Sequence, residues 1–246
     1  MRYAIISDIH ANLEALEATV EDLQTVQVDQ VICLGDIVGY YPNPNECTAI
    51  CRSQGFRCLR GNHDDAALGL CDIDDFNPVA REALIWTARA LKEENKEWLR
   101  QLPEKLLVDG NFLAVHGSPW DPYAYIFSSG GALRAFSYMH THHPEIDICF
   151  FGHTHQRALY TSEKGTVQEN YKGKLYILSN RGFYLINPGS IGQPRDGQPG
   201  ASYIIYDSQT REVEFRHVPY DISLTQRKVA AAKLPLMLAE RLSLGY

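Results

Sequence analysis

With 246 residues, 45% of them hydrophobic and 22% charged, the chain has the make-up of a folded protein with a sizeable core, which excludes a disordered or low-complexity polypeptide. A formal net charge of −7 at pH 7 argues against a general binder of nucleic acid or of membrane surfaces, since both need clustered Lys and Arg. No apolar stretch approaches membrane-spanning length, and Arg2 runs straight into Tyr3-Ala4-Ile5-Ile6 rather than into a signal segment, so a cytoplasmic location is expected.

Tyr3 to Ser7 reads as a first buried strand, ending at Asp8-Ile9-His10. From Asn12 to Gln24 the apolar residues Leu13, Leu16, Val20 and Leu23 recur at helical spacing, and Val31 to Leu34 follows as a second strand. This is a βαβ unit, whose right-handed crossover brings Asp8, His10 and Asp36 of Gly35-Asp36-Ile37-Val38-Gly39 to the same edge of adjacent parallel strands. Open α/β sheets place their ligand chemistry at that carboxyl edge.

Tyr40 to Pro44 is a proline-rich loop, Asn45 to Gln54 a second helix, and Phe56 to Leu59 a third strand running into Arg60-Gly61-Asn62-His63-Asp64. A helical region begins at Pro78, and its length suggests two helices or an insertion over about 72–102. Leu106 to Val108 and Phe112 to Val115 read as a hairpin across Asp109-Gly110-Asn111, the second strand ending at His116-Gly117-Ser118-Pro119. The loop from Trp120 to Ser129 carries Tyr123, Tyr125 and Phe127, which suit either stacking on a nucleobase or packing over the sheet edge.

Gly131 to Met139 is expected as a helix and Ile146 to Phe151 as a strand ending at Gly152-His153-Thr154-His155. The remainder to Val218 reads mainly as short antiparallel strands at Leu175 to Leu178, Phe183 to Asn187, Ser202 to Tyr206 and Val213 to Val218. A helical pair broken at Pro235 follows over about 221–243, and no repeat or linker divides the single domain expected over 1–246. The six cysteines show neither a CxxC pair nor a disulfide framework and read as reduced, packed residues.

Five strands thus end in polar clusters, which together supply Asp8, His10, Asp36, Asn62, His116, His153 and His155. Each alone has a bland role: Asp8 and Asn62 suit helix caps, His116 a buried imidazole, His153 an exposed side chain. A shared role accounts for all of them together. Two neighbouring divalent cations repel, and need an anionic bridge plus neutral ligands that leave positions open for water and substrate. Asp36 supplies the bridge, Asp8 a second negative charge, and the imidazoles and Asn62 the neutral ligands. The cations still outweigh the two carboxylates, so an acidic protein gains a local site for an anionic phosphate.

Asp8-x-His10, Gly35-Asp36-x-x-Gly39, Gly61-Asn62-His63-Asp64, His116 and Gly152-His153-x-His155 match, in order and type, the motifs of the calcineurin-like metallophosphoesterases, and the chain resembles that family over 8–155. Asn187-Pro188-Gly189-Ser190 and its flanking strands are similar to the C-terminal half of the compact bacterial and archaeal phosphodiesterase branch. The resemblance implies an α/β fold, a four-layer α/β/β/α sandwich with two mixed sheets flanked by helices. It implies one metal held by Asp8, His10, Asp36 and His155, and a second by Asp36, Asn62, His116 and His153.

Within that frame a hydroxide bridging the metals attacks a phosphodiester or phosphomonoester in line, with no covalent phosphoenzyme. His63 resembles the residue that stabilises the transition state or protonates the leaving group, and Asp64 is expected to orient its imidazole through a hydrogen bond. Mixed O and N ligation without thiolate suits two divalent ions, Mn²⁺ foremost, with Fe, Ni²⁺ or Zn²⁺ as alternatives. The implied partner is a small phosphorylated substrate, nucleotides included, and Arg60 and Arg195 are the residues expected to contact a second phosphate. Two other readings are a phosphoprotein or dinucleoside-polyphosphate phosphatase, and a non-catalytic scaffold of the same fold that binds a protein partner. Ala11 departs from the family, many of whose members carry Gly after the first His.

Overall fold

The computed structural model describes residues 1–163, 166–169, 171 and 173–246. The first part of the chain alternates strand and helix through β1 (Arg2–Ile6), α1 (Leu13–Gln24), β2 (Gln30–Cys33), α2 (Pro44–Ser53) and β3 (Arg57–Cys58). Three helices follow, α3 (Asn62–Leu68), α4 (Pro78–Ala90) and α5 (Glu93–Arg100), then the hairpin of β4 (Lys105–Val108) and β5 (Phe112–Val115). After α6 (Ser129–His142) and β6 (Ile148–Phe150) come β7 (Arg157–Glu163), β8 (Thr166–Glu169) and β9 (Leu175–Ile177). Next are β10 (Phe183–Pro188), β11 (Ala201–Asp207), β12 (Glu212–Val218), α7 (Ile222–Ala231) and α8 (Met237–Glu240), with a 3-10 turn at Arg241–Ser243.

Local chemistry sets several of these boundaries. Asn12 caps α1 by accepting from the Ala15 amide at 3.3 Å, and Asn77 caps α4 by accepting from Ala80 at 3.0 Å. Pro44 and Pro78 open their helices, where a missing amide hydrogen costs nothing.

Among the described residues the strands form two six-stranded mixed sheets, ordered β3-β2-β1-β11-β12-β9 and β4-β5-β6-β10-β7-β8. Their stacking follows from side-chain alternation. Tyr3 and Ile5 of β1, with Ile32 of β2, meet Phe112, Ala114, Ile148, Phe150 and Ile186 in one buried cluster, so these faces oppose each other. The alternate residues Ala4, Ile6 and Cys33 face outward onto Leu16, Leu23, Cys47 and Cys51 of α1 and α2. Across the second sheet, Leu113, Cys149 and Leu185 pack on Ala132, Ala135, Phe136 and Met139 of α6. The layers therefore run α/β/β/α, as the sequence led us to expect.

β1, β2 and β3 are parallel, and so are β5, β6 and β10, which aligns the carboxyl ends carrying the polar clusters. Three details depart from expectation. β3 pairs over Arg57–Cys58 alone, the segment after it folding into the short helix α3. β10 pairs parallel with β6 as well as antiparallel with β7. The strands β7 and β8 were not expected: Leu159 enters the inter-sheet cluster and Ala158 and Tyr160 the α6 side, but charged and hydroxyl residues interrupt any apolar run. Among the described residues no helix is long and apolar enough to cross a membrane. All six cysteines are free, and only Cys71 is not fully buried.

Candidate metal centre

The strand ends converge. Side-chain ligand atoms of Asp8, His10, Asp36 and His155 lie within 4.8 Å of one another, and those of Asp36, His116 and His153 form a second such group. Asn62 joins the second group, its Oδ1 lying 3.1 Å from His116 Nε2. Asp36 is common to both groups; its Oδ2 stands 3.6 Å from His10 Nε2 and 3.4 Å from His116 Nε2.

Each carboxylate is fixed through one oxygen and left open at the other. Asp36 Oδ1 accepts from the His63 amide at 2.8 Å and Asp8 Oδ2 from the His153 amide at 3.1 Å. Asp8 Oδ1 and Asp36 Oδ2 are fully buried and have no hydrogen-bond partner among the described residues. Buried carboxylate oxygens without partners are costly, and a cation between them removes that cost.

The imidazoles are set the same way. His155 donates from Nδ1 to the Gln193 carbonyl at 2.6 Å and His116 from Nδ1 to the Leu34 carbonyl at 3.0 Å, which leaves both Nε2 atoms free to ligate. His153 is held the other way round, with Nε2 donating to the Tyr123 carbonyl at 3.0 Å, which leaves Nδ1 free to ligate. Burial holds His10 and His155 well below the usual imidazole range and brings His153 down to about 3, so these rings are neutral at physiological pH. At His116 burial opposes the charge, but the neighbouring Asp36 carboxylate outweighs it and lifts the ring to about 9, so an ion taking Nε2 would displace a proton there. Burial pushes Asp8 up to about 6. Buried oxygens and imidazoles without thiolate are a donor set that fits a pair of divalent ions.

The backbone is strained to reach this geometry. Asp8, His10, Asp36, His153 and His155 all adopt positive φ, between 52° and 66°. Left-handed conformations cost a non-glycine residue about 1 kcal/mol or more each, and cluster where function requires them. Ala11, at φ 59°, sits in the same region, so the family's usual glycine would be relaxed where this alanine is strained. Gly61 has a different reason: a side chain there would strike Asp36 Oδ1.

Two expectations fail. Asp64 does not hold the His63 ring; its Oδ1 accepts from the Val38 amide and its Oδ2 from the Gly61 amide, each at 3.0 Å, tying together the loops after β2 and β3. The His63 Nδ1 has no partner among the described residues, and the ring is held instead by Tyr40, His10 and Phe76 at centroid distances of 4.4, 4.6 and 5.1 Å. Arg60 does not face the site either. Its guanidinium pairs with Asp65 and donates to the Leu102 carbonyl at 2.9 Å, bracing α3 against the loop before β4.

Beside the metal-ligand groups opens a cavity of about 450 Å³, lined by His63, Asn62, His153, Arg195, four aromatic residues and two acids. Arg195 lines it, donating from Nη2 to Gln193 Oε1 at 2.9 Å and to the Tyr40 hydroxyl at 3.2 Å. The aromatic walls are Tyr40, Phe76, Tyr123 and Tyr125, and the acids Asp72 and Asp75. Tyr40 had a signal in the sequence, directly following Gly39; Phe76 and the acids precede α4 and had none. Tyr125 stacks on His153 at 3.8 Å, and Phe127 stacks on Tyr125 at 4.9 Å.

A family model described as the calcineurin-like phosphoesterase superfamily domain matches residues 1–211. An uncharacterised protein of Methanocaldococcus jannaschii is 39% identical, the match covering 98% of this chain and 97% of that one. A crystal structure of a metallophosphoesterase from Sphaerobacter thermophilus is 40% identical and superposes with a TM-score of 0.85 over 100% of this chain and 99% of that chain. The structure of a hypothetical protein from Pyrococcus horikoshii, 21% identical, shares the fold with a TM-score of 0.82 over 100% and 98%.

Proposed function

The chain belongs to the calcineurin-like phosphoesterase superfamily, and from that premise we propose that it is a binuclear metal-dependent phosphoesterase acting on a small phosphodiester or phosphomonoester. The observation that carries this reading is Asp36 Oδ2, a buried carboxylate oxygen with no hydrogen-bond partner among the described residues, facing ligands of both groups. Asp8, His10, Asp36 and His155 would hold one ion, and Asp36, Asn62, His116 and His153 the other. Once bound, such ions activate water and neutralise charge on the phosphoryl group; with O and N ligands alone, Mn²⁺ is the proposed ion.

The chain's own residues do the rest. Arg195 faces the cavity and orients the phosphoryl oxygens. Burial brings His63 down to about 4, so its ring is neutral at physiological pH. A side chain at Gly39 would meet His63 Nδ1 at 2.5 Å, so that atom is walled in and Nε2–H is left to donate a hydrogen bond to the leaving oxygen as charge develops there. Tyr40, Phe76, Tyr123 and Tyr125 provide apolar walls that exclude water from the alcohol portion of the substrate.

Among the described residues that line it, the cavity has one cationic side chain, Arg195, against Asp72 and Asp75. That balance favours a single phosphoryl group on a partly apolar alcohol over a polyphosphate chain, which needs several cations. The test is a panel of phosphomonoesters, phosphodiesters, nucleotides and a dinucleoside polyphosphate, each assayed with Mn²⁺, Fe²⁺, Ni²⁺ and Zn²⁺. Divalent-dependent hydrolysis that Asp36→Asn abolishes, together with metal retention, is the expected result. Full hydrolysis by chelator-stripped protein would overturn the proposal.

A further inference from the structure

The loop between β5 and α6 runs over the site, and one of its residues is bonded both to His153 and to the helix that carries Asn62. Its path is constrained at Gly117, where a side chain would strike the Pro122 carbonyl, and by the turn in which the Ser118 amide donates to the Asp121 carbonyl at 2.9 Å. The Tyr123 carbonyl accepts from His153 Nε2 at 3.0 Å, while the Tyr125 ring covers the same imidazole with an interplanar angle of 16°. His153 is thus held on one edge by loop backbone and on one face by a loop ring.

The other end of Tyr123 reaches helix α3. Its hydroxyl donates to Asp65 Oδ2 at 2.6 Å, and the buried Asp65 is held in turn by Arg60. Asp65 follows Asn62 by three residues on α3, so both lie on the same side of the helix. Among the described residues the hydrogen bonds of Tyr123 go to Asp121, Asp65 and His153, and none reaches Asp8, His10 or His155.

We propose that Tyr123 is a positioning residue for the second ion: latched by its hydroxyl to Asp65 and by its carbonyl to His153, it fixes the spacing between Asn62 and His153. The proposal rests on the two-ion reading above. Partners of this kind orient ligands, and removing one typically weakens metal binding by about 10- to 100-fold. Because the latch spans only the second group, its loss should be selective, which a general loosening of the fold would not be.

The test uses the full chain, stripped with chelator and titrated with Co²⁺, following calorimetry and visible absorption, for wild type, Tyr123→Phe, Asp65→Ala and Asp65→Asn. Wild type is expected to bind two ions. In Tyr123→Phe one dissociation constant should rise by about 10-fold while the other stays within about two-fold. Asp65→Asn keeps an acceptor for the hydroxyl and should hold the second ion more tightly than Asp65→Ala. Equal weakening of both ions, or no change in Tyr123→Phe, would overturn the latch. Fewer than two ions in wild type would instead overturn the two-ion reading itself, and the latch with it.

Discussion

The Nε2 atoms of His10 and His155 lie 3.0 Å apart, although the residues are separated by 145 positions in the chain. A neutral imidazole has one donor and one acceptor nitrogen, and His155 uses its donor on the Gln193 carbonyl. A hydrogen bond from His10 to His155 would leave the buried His10 Nδ1 as an acceptor with no partner among the described residues. Asp8 Oδ1, 3.4 Å from His155 Nε2, is likewise unpartnered. A divalent ion between these groups would satisfy lone pairs that the protein alone leaves facing one another.

His63 lines the cavity but belongs to neither ligand group. His63→Ala is expected to lower kcat by about 10²- to 10³-fold, as for loss of one hydrogen-bond donor to the transition state, while metal content stays at two ions per chain. Turnover and metal analysis of the same sample decide it; loss of metal along with turnover would make His63 a ligand instead.

Gly39 has φ 97°, and a side chain there would meet His63 Nδ1 at 2.5 Å. Gly39→Ala should therefore displace the His63 ring and cost about 1–2 kcal/mol through backbone strain. Urea denaturation reads the second effect, and a fall in kcat at saturating metal reads the first.

The two arginines should separate cleanly. Arg195→Ala is expected to raise KM by about 10-fold through loss of a charge-assisted contact to the phosphoryl group. Arg60→Ala leaves Asp65 buried without its cation and should cost about 2 kcal/mol of stability, seen as a lower melting temperature.

A pH effect is expected far from the metal centre, where Asp22 accepts from Arg216 Nε at 3.0 Å and from the Tyr203 hydroxyl at 2.6 Å. Burial works to raise the Asp22 pKa, but hydrogen bonds from Arg216 and Tyr203 outweigh it and hold it below its ordinary value. Folding thus favours the ionised form: the stabilisation is present above about pH 4 and is lost as pH falls through the folded-state pKa. Asp22→Asn should be about 1–2 kcal/mol less stable than wild type near neutrality, with the gap closing in acid. Urea midpoints for both proteins across that range test the sign.

The parts of this site that were legible in the sequence share one physical origin. Val31-Ile32-Cys33-Leu34 and Ile148-Cys149-Phe150-Phe151 are apolar on successive positions because their strands lie between layers, and the polar residue that ends each run marks the carboxyl edge. Asp36 and His153 were found that way. β7 was missed because, among its described side chains, only Ala158, Leu159 and Tyr160 are buried, too few to mark a strand against its polar flanks. The partners of Asp64 were missed because they are backbone amides of Val38 and Gly61, which have no signature in side-chain type. The cavity wall from Cys71 to Asn77 was missed for a third reason: it is irregular chain, positioned by the helices on either side of it.

Anomalous scattering from crystals grown with Mn²⁺ bears most directly on the shared role of Asp36. Two peaks should flank its carboxylate, one against Asp8, His10 and His155 and the other against Asn62, His116 and His153. The absence of any peak within this cluster, or a bound ion that Asp36 does not contact, would contradict the binuclear centre.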